Sequence, residues 1–543
     1  MTDTNTANLC EQIIRTDFGP LTGTVVKVLL HHGRLPLSQI IRYTKLKART
    51  VRACILVLVQ HNVLWHAESE IDGEVLEVNV EECLLRMRYG RYVWQAEQLF
   101  GKAAAEIVQL LLDHGKLRPP DIVSQLSVYD PVKGTTLYSQ ALHKLVDSFY
   151  LKPSTVLSHI SPVDKRIKYE KEEKTKISGF PTAKQLREAK ETAEARLRRE
   201  EEEAEKIGMK RKAKDHSNHH KSKRKALDEN TVDDDVFFRV NCDKFNIHLR
   251  NKVIADAATE RYNSYAGLVL RATLKATEAK QLSLFDPRSD PTSFADVATH
   301  IAEDEDLAGG FVLSSSKKPS HMSLLKEYYG ILAAADNPTP AGRAGSFISI
   351  NGSKVQVEYE LIGRRLKRRV LETVARERHG DDAVRIIRLL LDTGKMDEKQ
   401  ISKIGMMAPK DVRPLLTAMS AESLVSIQEV PKTADRNPTR TFYLWYVDLQ
   451  KAYSVLLVSL YKTLYNIACR RQAEEEEPSV KAVLEKRQRS DVSQDEERLL
   501  TRNEREIIAQ WEKKREKLTV LQARVEEAVF ILRDFKAVGS DEQ

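Results

Sequence analysis

The sequence predicts a mainly α-helical fold with small β-hairpins, organised as four winged-helix domains and a C-terminal antiparallel coiled coil. Three observations predict it. A helix-ending pattern recurs along the chain, hairpin signals follow the helices, and the last part changes to long helices with heptad spacing. At 543 residues the chain exceeds what one core holds, so several domains are expected.

The recurring pattern reads VVKVLLHHGRLPLSQII at 25–41, IVQLLLDHGKLRPPDIV at 107–123 and IIRLLLDTGKMDEKQIS at 386–402. Each copy is an aliphatic helix end, a polar pair, a glycine (Gly33, Gly115, Gly394) and a basic residue (Arg34, Lys116, Lys395), then another apolar residue. Glycine past a helix end supplies the left-handed terminator that side chains resist. A longer helix follows each copy, with a buried stripe at Val51, Ile55, Leu58 and Val59, at Leu142, Leu145 and Val146, and at Val412, Leu415, Leu416 and Met419.

Hairpins complete the units. Residues 63–66 and 75–80 flank Asp72-Gly73, and residues 424–430 and 441–446 flank a Pro/Asn-rich loop. A looser copy has a long helical region at 237–280, shorter helices at 291–301 and 321–335, and a hairpin around Asn351-Gly352. Three helices with a hairpin make a winged helix. The expected division is winged helix 1 over 1–82, winged helix 2 over 83–163, a charged and largely disordered insertion over 164–232, winged helix 3 over 233–362, winged helix 4 over 363–447, the coiled coil over 448–536 and a tail over 537–543.

In the coiled coil, an apolar helix at 447–471 precedes a charged connector. A heptad then runs through Leu500, Ile507, Trp511, Leu518, Leu521, Val525, Ala528 and Leu532, with polar Glu504 and Lys514 in two core slots. Folding back on the first helix is one reading and dimerisation through the last helix the other.

Charge is unevenly placed. The net charge is +8, but residues 165–225 alone hold 21 Lys/Arg against 12 Asp/Glu, so the remainder is close to neutral. Within that segment Lys210, Arg211, Lys212 and Lys214 and then Lys221, Lys223, Arg224 and Lys225 form two basic clusters, the spacing of a bipartite nuclear import signal. A solvated linker is the plainer reading of the same residues.

Five scattered cysteines without a CxxC pair predict reduced thiols and no zinc site. The N-terminus is polar and no apolar run approaches a membrane span, so a soluble, intracellular protein with no membrane contact is expected. No Walker A, G-x-G-x-x-G, H-E-x-x-H or G-x-S-x-G motif occurs, and no cofactor, metal or catalytic residue is expected. Candidate DNA contacts are the cations at third-helix starts: Lys45, Lys47, Arg49 and Arg52 in the first unit, Lys410 and Arg413 in the fourth. The second unit offers only Lys144 there. Ordinary solvated surface is the competing reading.

Residues 9–66 (LCEQIIRTDFGPLTGTVVKVLLHHGRLPLSQIIRYTKLKARTVRACILVLVQHNVLWH) and CLLRMRYGRYV at 83–93 resemble the winged-helix subunit of eukaryotic RNA polymerase III, in a fungal-like version. The resemblance extends over the order of modules, the charged insertion and the C-terminal coiled coil. It implies the largest member of a TFIIE-like initiation heterotrimer, with no active site of its own. It further implies the two other heterotrimer members, the clamp of the largest polymerase subunit, TFIIIB and promoter DNA as partners. The implied work is promoter recruitment and DNA opening, in the nucleus, for synthesis of transfer RNA, 5S ribosomal RNA and other small RNAs. The alternative is a free-standing dimeric winged-helix regulator of duplex DNA.

Overall fold

The structure is a computed structural model that describes residues 3–69, 73–128, 131–177, 182–205, 208–211, 230–301, 307–310, 320–334, 346–432, 441–489 and 499–535. The chain divides into two compact units, Met1–Asn246 and Ile247–Gln543.

The first unit opens with α1 (Thr4–Phe18), whose N-terminus is capped by the Asp3 carboxylate accepting from the Asn5 N–H. Gly19 turns the chain into α2 (Pro20–His32) at φ 91°, ψ 174°. Then come β1 (Leu35–Pro36), α3 (Leu37–Thr44), α4 (Ala48–Gln60), β2 (Leu64–Ser69) and β3 (Gly73–Val78). The sheet order is β1-β3-β2. Ile14, Val25, Val26, Ile40, Val51 and Leu58 are fully buried between the helices. Each such side chain contributes about 1.5–3 kcal/mol on burial, so apolar packing dominates this module.

After α5 (Val80–Leu85), the same order repeats. α6 (Tyr89–Phe100) meets α7 (Lys102–His114) at Gly101, and α8 (Pro119–Leu126), α9 (Pro131–Asp147) and β4 (Leu151–Pro153) follow. The third strand is far away in sequence. β7 (Phe238–Val240) pairs with β4, and Phe238 bridges Leu117, which reproduces the 1-3-2 order. The insertion therefore lies inside the wing of the second module, whereas the sequence pattern places the end of that module at 163 and gives 233 onward to the third. Three-residue strands carry too little alternation to reveal such a split.

Nor is the insertion largely disordered where it is described. α10 (Pro162–Thr175) and α11 (Ala183–Glu205) lie side by side, and β5 (Met209–Arg211) pairs with β6 (Asn230–Val232). The seam of the two helices holds a small buried apolar cluster of Tyr169, Ala193 and Leu197. Ion pairs supplement it: Arg196 reaches Glu172 at 2.8 Å across the seam and Glu200 at 3.2 Å along its own helix, and Lys165 reaches Glu201 at 3.0 Å. Such exposed pairs contribute about 0–1 kcal/mol each, so they add little to the stability of this helical hairpin. Lys210 and Arg211 fall on β5; Lys212, Lys214, Lys221, Lys223, Arg224 and Lys225 lie outside the described residues.

Cysteines distant in sequence also meet. Cys10 on α1 and Cys83 on α5 are both buried, and hydrogen bonding to Cys10, then burial, push the Cys83 thiol well above its usual range.

α12 (Cys242–Arg261) begins in the first unit and continues into the second, where α13 (Ser264–Thr277), β8 (Thr292–Ser293), α14 (Phe294–Ala298), α15 (His321–Ala333), β9 (Ile348–Asn351) and β10 (Lys354–Val357) follow. The sheet order β8-β10-β9 matches that of the first module. The long helical region expected at 237–280 breaks at Asn263, which is extended and caps α13 with its side chain. Register Lys354↔Asn351 centres the hairpin turn on Gly352-Ser353, one residue later than expected, with Gly352 at φ 64°. That is the place for glycine in a two-residue loop with positive φ.

α16 (Tyr359–His379) meets α17 (Asp381–Thr393) at Gly380, and α18 (Glu398–Gly405), α19 (Pro409–Ala421), β11 (Ser426–Pro431) and β12 (Thr441–Tyr446) complete the last copy. Met396 bridges Trp445 as its one-residue first strand. The expected stripe is buried at Val412, Leu416 and Met419. A further likeness was not legible in sequence. Asn62, Phe149 and Ser423 all carry φ near 60° after the third helix (56°, 62° and 59°). In each case the next N–H bonds back at 2.9 Å to the last helical turn: Val63 to Leu58, Tyr150 to Leu145, Leu424 to Met419.

The C-terminal helices are α20 (Leu449–Glu476), α21 (Pro478–Arg487) and α22 (Arg502–Asp534). Ala452, Leu456 and Leu532 join the core of the fourth copy. α22 runs antiparallel to α20 and α21, since Glu504 pairs with Lys486, Glu512 with Arg487 and Lys514 with Glu474, so that the earlier residues of α22 meet the later residues of its partners. The two polar heptad slots, Glu504 and Lys514, are thus cross-helix ion-pair positions. Leu521 departs from the expected seam and is 45 % exposed. Here Gln522, one residue on, meets Arg471.

The Lys486 ammonium, with the Thr501 backbone N–H, lowers Glu504 from the ordinary 4.5 to about 2. A depressed carboxylate stabilises the fold above its unfolded value and loses that effect as pH falls. Wild type therefore melts above the Glu504→Gln variant at neutral pH, and the two melting temperatures converge as pH falls from 4.5 towards 2. A gap that stays constant over that window would remove Glu504 from the account.

Candidate nucleic-acid interface

The candidate cations of the first module surround the turn between α3 and α4. α3 ends when Lys45 adopts a left-handed conformation (φ 56°, ψ 18°) and returns its N–H to Ile41. Lys47 then serves as N-cap of α4 with extended backbone and no side-chain hydrogen bond to the helix. Lys45, Lys47, Arg49 and Arg52 are all exposed, and none has a salt bridge among the described residues.

Two features make this ridge electrostatically unsettled. The first turn of α4 contains no acidic residue, so its free N–H groups and positive dipole end face cations. A phosphate there would relieve both. The structure also adds Arg42, exposed on the last turn of α3, one turn before Lys45. Arg42 joins this turn-facing set because α3 ends at Thr44.

Other surfaces of this module limit the ridge. On the wing Glu68 stands directly opposite Glu74, so the wing repels polyanions. Farther along α4 the exposed face becomes apolar at Leu56 and Val57, 71 % and 41 % exposed.

The fourth copy differs at matching positions. Met406 holds the left-handed place of Lys45 and is 90 % exposed, and Ala408 replaces Lys47 as N-cap. Asp411 occupies the first turn of α19, and Arg413 is engaged with Glu398 at 3.0 Å. Lys410 remains exposed with no salt bridge among the described residues. The structure therefore gathers the four first-module candidates into one ridge, and in the fourth module engages Arg413 with Glu398 while leaving Lys410 without a salt bridge among the described residues. At the matching turn of the second module stands Val128, 69 % exposed. Among the described residues, no helix is long and apolar enough to cross a membrane, and no group of three His, Cys, Asp or Glu is placed to hold a metal ion.

The order helix–strand–helix–helix–strand–strand, with the third strand in the middle of each small sheet, defines a winged-helix protein. Comparison with known families then specifies which. Residues 8–68 match the RNA polymerase III subunit RPC82 helix-turn-helix domain, residues 140–338 match RNA polymerase III subunit RPC82, and residues 371–447 match the POLR3C C-terminal winged-helix domain. The chain belongs to this RPC82/RPC3 family of RNA polymerase III subunits. Its relatives include DNA-directed RNA polymerase III subunit RPC-3 of Coccidioides immitis, 27% identical with 97% of this chain and 99% of that protein covered. Subunit RPC3 of Rattus norvegicus is 27% identical and that of Homo sapiens 26%, each with 97% of both chains covered.

Proposed function

We propose that this chain is a non-catalytic subunit of RNA polymerase III that helps recruit the polymerase to promoters and helps open and hold promoter DNA. The observation that carries the reading is the end-to-end similarity to RPC3 subunits, over 97% of this chain. In this reading its partners are the other polymerase III subunits, two of them in a heterotrimer with it on the clamp of the largest subunit. TFIIIB and promoter DNA complete the set. The location is the nucleus, with residues 209–226 as the candidate import segment, and the products are transfer RNA, 5S ribosomal RNA and other small RNAs. The free ridge of the first module supports contact with DNA phosphates, and the apolar tips at Met406 and Val128 support protein contacts.

Affinity purification of the tagged chain from cells tests the core of this reading. Polymerase III subunits are expected in stoichiometric amounts, and their absence would overturn it. Deletion of 209–226 is expected to abolish nuclear accumulation; unchanged localisation would return that segment to a linker.

A further inference from the structure

The small sheet of the second module carries a row of like charges. β4 and β7 place Lys152 opposite Arg239. The Leu117–Phe238 bridge continues the antiparallel register, so Lys116 lies across from Arg239 on the other side. Three cations thus sit side by side on one sheet face, an arrangement that is destabilising unless neutralised. Among the described residues only the Lys152 end is ion-paired, with Asp243 at 3.3 Å.

The other end meets a second set of donors. His159 follows β4 after the turn at Ser154, and its Nε2 lies 3.0 Å from the Lys116 Nζ and 3.5 Å from the Ser154 Oγ. With an ammonium as neighbour, Nε2 accepts the hydrogen bond, so the proton of neutral His159 sits on Nδ1. That Nδ1 is buried and has no hydrogen-bond partner, and the same holds for Nε of Arg239. Buried donors without partners are uncommon and call for an explanation. Lys116 has no carboxylate within salt-bridge distance among the described residues. Glu82, which feels the charge of Arg239, accepts a hydrogen bond from the Tyr89 hydroxyl at 3.2 Å. Burial, then Lys116 and Arg239, hold His159 down near 4, and burial and Arg239 lower Lys116.

We propose that Lys116, His159 and Arg239, with the Ser154 hydroxyl, form a binding site for a phosphate-type oxyanion, from inorganic phosphate or from the backbone of a nucleic acid. One oxyanion satisfies the orphaned donors and neutralises the free end of the cationic row in a single step. Its charge would raise both His159 and Lys116 towards their ordinary values. The His159 Nδ1–H would donate to the bound oxyanion while Nε2 keeps accepting from Lys116. The site belongs to the insertion-bearing wing and is distinct from the α3–α4 ridge, so it stands or falls independently of the polymerase reading.

The lowered Lys116 gives a direct readout, because a free amine acylates readily and an anion-bound ammonium does not. The intact chain is pulsed with acetic anhydride in phosphate-free buffer, and Lys116 acetylation is read by peptide mass spectrometry. Inorganic phosphate is expected to slow Lys116 several-fold against sodium chloride of equal ionic strength, while exposed Lys410 changes little. A short single-stranded oligonucleotide without free phosphate is the second arm. Protection in that arm assigns the site to nucleic-acid backbone, and protection by phosphate alone assigns it to the free ion. Arg239→Gln and His159→Gln should each weaken apparent affinity roughly tenfold or more, and Arg239→Lys should retain part of it. Thermal melts identify variants that fail to fold, and for those the Ser154→Ala and Arg239→Lys chains carry the comparison. Equal acetylation with and without both anions, or protection unchanged in folded Arg239→Gln, would overturn the proposal.

Discussion

Reversing Lys45, Lys47, Arg49 and Arg52 together to glutamate is expected to lower the affinity of the isolated chain for duplex DNA by roughly a thousandfold at about 0.1 M salt. Each phosphate contact contributes close to one unit of log–log salt slope, so the slope should also flatten by about three to four. The four side chains are exposed and form no salt bridge among the described residues, so the change removes no intramolecular pair and, by placing acid at the α4 N-terminus, should not lower the melting temperature. The same reversal at Lys410 and Arg413 should cost under about tenfold, since Arg413 is already held by Glu398 and Asp411 stands beside them. Crosslinking to promoter DNA in an assembled initiation complex should fall in parallel. An unchanged slope would make the ridge ordinary solvated surface. Equal losses from both sets would instead overturn the ranking of the modules.

That ranking shows what the sequence could and could not convey. The cations at third-helix starts were legible because helix starts follow from apolar periodicity and a preceding glycine. Their pairing was not, because Glu398 and Arg413 lie on different helices. The repeat itself was legible through Gly33, Gly115 and Gly394 and the stripes after them. The hairpins were legible too, but the first strands of the second and fourth copies and β7 were not, because Leu117 and Met396 each contribute a single bridged residue and β7 follows a long insertion. Alternation needs several residues to register. The helices of the insertion were legible as an ion-pair pattern, but the burial of Tyr169 against Ala193 and Leu197 depends on two helices meeting. The cationic row at Lys116, Arg239 and Lys152 joins residues separated by the same insertion, so no local pattern announced it.

The glycines at the helix joints give the second large effect. Gly19, Gly101 and Gly380 share one backbone state: φ 91°, 88° and 84°, with ψ 174°, 179° and −176°. That region is essentially confined to glycine, and a side chain held there costs about 1–3 kcal/mol. No atom lies within 4 Å of a Cβ built at any of the three, so the cost is backbone strain and not a clash. Gly330 provides the opposite case within the same unit as Gly380. It lies inside α15, a built Cβ there also meets nothing within 4 Å, and its backbone is helical. Gly380→Ala should therefore destabilise the second unit by about 1–3 kcal/mol, while Gly330→Ala should stabilise it by about 0.5–1 kcal/mol. Opposite shifts in the denaturation midpoint of that unit would test both at once; shifts of the same sign would refute the argument. The third module sharpens the point, since its joint uses Asn263 at φ −162°, an extended conformation open to any residue. A glycine is thus required where the joint takes the left-handed path, and the third copy avoids the requirement by taking another.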